Sequence, residues 1–169
     1  MTLRLPYWKI APVGYKTLMS LETYLRDSGL DQSLLHMVKL RASQINGCAY
    51  CIDMHWKDAR AAGDNEQRLY GLDAWRESPY YTDRERAALE WTEALTNIAA
   101  PGSGHVPDAV YDTVRGHFSD KELADLTWAV AAINAWNRVA IAFRSEPGTY
   151  KPHPEASKGE GLRDAAMSR

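Results

Sequence analysis

The sequence predicts an all-α protein, a bundle of about six or seven helices, and three observations predict it. Apolar residues recur at three- and four-residue spacing in one segment after another. Two capping boxes, Thr82 with Glu85 and Ser119 with Glu122, each open an apolar run. No stretch alternates with period two among β-branched residues, as a half-buried strand would.

The elements follow in order. The first dozen residues are expected to be irregular, because Pro6 and Pro12 interrupt regular hydrogen bonding. Residues 15–30 have helical periodicity in Leu18, Leu21, Tyr24 and Leu25, and Ser28-Gly29 ends the run. Asp31 is suited to cap a second helix over 32–44, with an apolar stripe of Leu34, Leu35, Val38 and Ala42. Asn46-Gly47 then breaks the chain. The segment CAYCIDMHWKDARAAG forms a third helix that stops at Gly63, a C′ residue. A short helix follows over about 65–75, then a turn at 76–79.

The Thr82 box opens a helix to about Ala99, bearing Ala87, Ala88, Trp91, Ala94, Leu95 and Ile98. Pro101-Gly102-Ser103-Gly104 is the clearest loop. Pro107 suits the first turn of a helix reaching about His117. The Ser119 box opens a long apolar helix to about Phe143, the main core candidate. Beyond Pro147-Gly148 the chain turns polar. The expected organisation is one helical domain over 1–144 and a tail over 145–169 that packs on a neighbour or moves.

A chain of 169 residues can bury a core without staples. A net charge of −2 asks for neither a nucleic acid nor a membrane surface as partner. The N-terminus lacks an apolar stretch of signal-peptide length, and no run approaches the roughly 18 apolar residues of a membrane helix. The cytoplasm is the expected location. Only two cysteines are present, three residues apart. A secreted disulfide scaffold would carry more, more widely spaced, so the pair points to redox chemistry or a metal.

Those two cysteines and one histidine carry the chemistry. Each helical residue turns about 100°, so Cys48, Cys51 and His55 share one face. Helical i and i+3 positions lie within disulfide reach. A helix N-terminus would favour the thiolate of Cys48, whereas His55 four residues on would favour that of Cys51. Two rival readings stand beside this one. The cysteines could be plain core residues. They could also form a zinc site with His55 and a fourth ligand from His36, His105, His117 or His153. The tryptophans, among them Trp56, Trp91, Trp128 and Trp136, suit a core or subunit interface. Asn134, Asn137 and Arg138 suit helix–helix bonds or a cap.

The run KLRASQINGCAYCIDMHWKDARAAG, with YTDRERAALEWTEAL and INAWNRVAIAFR, resembles the AhpD-like alkylhydroperoxidases of the carboxymuconolactone decarboxylase superfamily. The resemblance covers about residues 30–143. It implies an AhpD-like helical fold assembled into homo-oligomers, trimers or hexamers. It also implies thiol-dependent hydroperoxide reduction sustained by an external dithiol protein, with no metal, flavin or haem cofactor. Carried over, Cys51 attacks the peroxide, Cys48 resolves the product and His55 relays the proton. One departure stands out. The family glutamate twelve residues before the first cysteine is His36 here, which can pass a proton but supplies no negative charge. That departure keeps in view a thiol–disulfide exchange or redox-sensing protein with little peroxidase activity, and the superfamily resemblance leaves a decarboxylase-like member as a further alternative, against which the intact Cys48, Cys51 and His55 face argues.

Overall fold

Capping chemistry and apolar periodicity produce eight α-helices among the described residues of the computed structural model, which are 2–100, 102 and 105–152. They are α1 (Tyr7–Ile10), α2 (Pro12–Arg26), α3 (Gln32–Asn46), α4 (Ala49–Ala61), α5 (Glu66–Tyr70), α6 (Asp83–Thr96), α7 (Asp108–Arg115) and α8 (Asp120–Phe143). A single 3-10 turn, Leu72–Ala74, follows α5. No strand is present among the described residues.

The count exceeds the sequence expectation at the N-terminus. Pro6 and Pro12 start helices there rather than preventing them. Proline lacks only an amide hydrogen that a first-turn residue does not need, and its fixed φ already suits the helix. Pro12 accordingly occupies the first turn of α2. The expected caps are present elsewhere. The Asp31 carboxylate accepts from the Leu34 amide at 3.0 Å, and both Ser/Thr-Glu boxes are closed. Pro107 precedes α7 as its N-cap rather than entering its first turn.

Helix α3 lies at the centre, against α4, α6 and α8. Its Leu35, Val38 and Leu40 meet Leu126 and Val130 of α8 in the main core, all nearly devoid of solvent contact. Burying each such side chain stabilises the fold by about 1.5–3 kcal/mol before entropy is charged. A second, smaller core gathers Ala42, Cys48, Cys51, Ile133 and Ala140, with Tyr50 and Trp136 against it.

Polar bonds register α3 on α8 just before the cysteines. The Asn46 side-chain amide donates to Asn137 Oδ1 at 2.8 Å and Asn134 Oδ1 at 3.0 Å. Fully buried Asn137 donates in turn to Ser43 Oγ at 3.1 Å. These are the helix–helix bonds expected of Asn134 and Asn137, and Arg138 donates to the Asn134 side chain and carbonyl.

The chain after α8 turns back. Arg144 takes a left-handed conformation, and the Ser145 amide reaches the Ala140 carbonyl. Residues 148–150 then lie along α4. The Gly148 amide donates to Asp53 Oδ2 at 3.0 Å, Lys57 Nζ to the Tyr150 carbonyl at 3.0 Å, and the Tyr150 hydroxyl to Asp58 Oδ1 at 2.6 Å. The start of the polar tail is thus bonded to the domain. The rest of it, with His153, lies outside the described residues.

Candidate active site

The site is built on the junction of α3 and α4, where one helix ends and the next begins without a loop. Gly47 has φ +67°, and the Cys48 amide bonds back to the Ser43 carbonyl at 3.0 Å, so a glycine stop closes α3. Cys48 is itself the N-cap of α4, and its sulfur accepts from the Cys51 amide at 3.4 Å. Cys48 thus stands at the N-terminal end of the helix.

Cys48 and Cys51 form a disulfide, with Cα atoms 5.4 Å apart. Both are about 1% exposed. His55, one turn beyond Cys51, is also buried, at 6% exposure. Neither of its ring nitrogens has a hydrogen-bond partner among the described residues. Leaving a buried polar group unpaired costs about 1–3 kcal/mol, so the arrangement calls for a functional explanation. Burial drives the His55 pKa well below the ordinary histidine value, and the Lys39 ammonium and His36 push it further the same way. His55 is therefore a neutral imidazole at physiological pH.

His36 reaches the site from α3. Burial pushes its pKa down to about 4, with Lys39 acting in the same sense, while Asp64, Asp31 and Glu22 oppose the shift. It too is neutral. Donor atoms of His36, His55 and Asp58 lie within 4.8 Å of one another. The structure thus brings His36 to His55 rather than to solvent, and adds a carboxylate beside them.

Asp58 is the residue that the sequence reading missed. It lies three positions after His55 on the face that carries Cys48 and Cys51, and that spacing is the signal that could have found it. Its oxygen takes the short bond from Tyr150, 92 residues away in sequence, for which no local signal exists. Glu22 and Lys39 were missed for the same reason. Their side chains pair in the interior, 10% and 11% exposed, and the Trp136 indole donates to Glu22 Oε1 at 3.0 Å.

The zinc arrangement weighed from sequence takes a different form here. Among the described residues, the grouping of three potential donors is His36, His55 and Asp58, and neither cysteine joins it. His105 and His117 are not part of it.

Residues 12–94 match the carboxymuconolactone decarboxylase family. The chain is 44% identical over 143 residues to the uncharacterised protein YdfG of Bacillus subtilis, covering 85% of this chain and 95% of YdfG. A crystal structure from Agrobacterium tumefaciens, of a protein of unknown function described as a putative antioxidant defence protein AhpD, superposes with a TM-score of 0.82. The two share 47% identity, over 88% of this chain and 100% of that one. The debrominase Bmp8, solved with 2,3,4-tribromopyrrole, shares the fold, with a TM-score of 0.71 and 18% identity over 83% of this chain and 74% of that one. Among the described residues no helix is long and apolar enough to cross a membrane.

Proposed function

The chain belongs to the carboxymuconolactone decarboxylase family as an AhpD-like member, and from that premise we propose that it is a thiol-dependent alkyl hydroperoxide reductase. The observation that carries the proposal is the buried Cys48–Cys51 pair at the head of α4 with a neutral imidazole one turn away that has no hydrogen-bond partner among the described residues.

In the reduced protein, His55 takes the proton of the Cys51 thiol. The thiolate attacks the distal oxygen of the hydroperoxide, and the O–O bond breaks. The alkoxide leaves with the proton held by His55 as an alcohol, and Cys51 becomes a sulfenic acid. The Cys48 thiol then displaces hydroxide from that sulfur, releasing water and forming the disulfide. A dithiol reductant restores both thiols by exchange and is itself oxidised to a disulfide. Asp58 supplies near His55 the negative charge that His36 cannot, and stabilises the transient imidazolium.

Burial supports this reading over an exchange-only role. Sulfurs this enclosed admit a small hydroperoxide more readily than a protein thiol, so the oxidative half-reaction is the easier one for the folded protein. A decarboxylase-like role would leave the cysteine–histidine face without a purpose. We place the protein in the cytoplasm, where a dithiol reductant is available, and in a homo-oligomer. Trp128 and Ile141 are exposed on α8, and Ile98, exposed beyond α6, lines a groove with Leu95, Thr127, Val130, Ala131, Asn134 and Arg138.

The deciding experiment is stopped-flow oxidation of the reduced protein by a small alkyl hydroperoxide, with mass spectrometry of the product. The wild type should give an intramolecular Cys48–Cys51 disulfide, and Cys48→Ser should stop at a trappable sulfenic acid on Cys51. Full turnover by Cys51→Ser would refute the assignment.

A further inference from the structure

His36, His55 and Asp58 have a use that the thiol chemistry does not absorb. Two imidazoles and one carboxylate form the donor set of the 2-His-1-carboxylate class, suited to zinc, iron or cobalt rather than to calcium or magnesium. His55 and Asp58 stand at i and i+3 on α4, the spacing with which helical bundles present paired metal ligands, and α3 supplies the third donor from its facing side.

We propose that His36, His55 and Asp58 form a binding site for a divalent transition-metal ion of the zinc type, independent of the cysteine pair.

Three observations support the site. The donor atoms lie within 4.8 Å of one another, so side-chain rotations of about 1 Å bring each to the roughly 2.0–2.2 Å bond that zinc needs. His55 is more than nine-tenths buried, with both ring nitrogens unpartnered among the described residues, and a metal bond would satisfy one of them. The Tyr150 hydroxyl donates to Asp58 Oδ1 at 2.6 Å, in the manner of groups that orient metal ligands from outside the coordination sphere.

The disulfide form has its thiols already committed, so binding there cannot come from the cysteines. The binding site stands apart from the peroxidase reading. One consequence rests on that reading: a metal on His55 blocks its role as proton acceptor, so the ion would silence the thiol pair.

The test uses the full chain, oxidised to the disulfide and stripped with a chelator, then titrated with Co2+ as a spectroscopic probe. Expected is stoichiometric uptake of one ion per chain, with d–d absorption and no thiolate charge-transfer band, and displacement by Zn2+. Zn2+ affinity, read by competition with a chromophoric chelator, should fall at least about tenfold in His36→Gln and in Asp58→Asn. It should be unchanged in a Cys48→Ser/Cys51→Ser double variant. Absence of stoichiometric uptake by the wild type overturns the proposal whatever the variants do. So does wild-type affinity in both His36→Gln and Asp58→Asn, or loss of binding in the double cysteine variant. The peroxide reaction of the metal-free protein is measured separately and bears only on the peroxidase reading.

Discussion

Replacing Glu22 by Gln tests how the interior beneath the site is held. Glu22 on α2 and Lys39 on α3 pair where each side chain keeps only about a tenth of its surface, and the Trp136 indole adds a hydrogen bond at 3.0 Å. Removing one charge strands the Lys39 ammonium in a medium that solvates it poorly. Breaking a buried pair in this way costs about 3–5 kcal/mol. Glutamine keeps the volume and can still accept from Lys39 and Trp136, so about 3 kcal/mol is the expected loss for Glu22→Gln. The double variant Glu22→Leu/Lys39→Met removes both charges and should fall within about 1 kcal/mol of wild type. Urea unfolding followed by circular dichroism at one fixed protomer concentration measures both, since assembly would otherwise shift the midpoint. A loss below about 1 kcal/mol in Glu22→Gln would refute the reasoning, because that is how a solvent-exposed pair behaves.

Three further outcomes follow from the same geometry. In chelator, stability should fall as the pH drops from about 6.5 toward 4. His36 has a folded pKa of about 4, below its unfolded value, so the unfolded chain binds the proton first. The full effect of that one group is about 3 kcal/mol, present above pH 6.5, so urea melts should show wild type losing more stability across that window than His36→Gln, and equal losses would overturn the account. Gly47→Ala should cost about 1–2 kcal/mol in thermal melts. No atom lies within 4 Å of the added Cβ, so the cost is that of forcing φ +67° on an L-residue. Tyr150→Phe removes the 2.6 Å bond to a buried carboxylate, and should cost about 1–2 kcal/mol. It should also slow the oxidation of the reduced protein by hydroperoxide, seen in stopped flow.

Local rules made much of this molecule legible. The Asp31, Thr82 and Ser119 caps each satisfy orphan amides within three residues, so their signal is contained in a four-residue window. The same holds for Gly47, whose break between α3 and α4 turns Cys48 into an N-cap, and for the one-face placement of Cys48, Cys51 and His55, which needs only the helical repeat. The prolines misled for a local reason as well. A proline marks a helix boundary without saying which side the helix lies on, and here Pro6 is the N-cap of α1 and Pro12 opens α2.

What stayed hidden is the set of partners that gives His55 its chemistry. The glutamate expected at position 36 is a histidine, and on sequence alone that substitution left a gap in the relay. The fold brings to that gap Asp58, from one turn further along α4, and Tyr150, from a segment that folds back over that helix to hold Asp58, while Lys39 with its Glu22 counter-charge opposes a positive His55. The Tyr150 and Glu22 pairings span 92 and 17 residues and rest on apolar helix packing that positions their backbones first, so no periodicity or spacing rule reports them. The charge balance of the site is therefore a tertiary property. Substituting Asp58 should alter the chemistry of His55 more than restoring glutamate at position 36, because the carboxylate already present has its own hydroxyl donor, and a second one would add like-charge repulsion beside it. Peroxide-driven thiol loss compared between Asp58→Asn and His36→Glu separates the two: the larger defect in Asp58→Asn is expected, and a larger gain in His36→Glu than the loss in Asp58→Asn would show that the relay still lacks its anion.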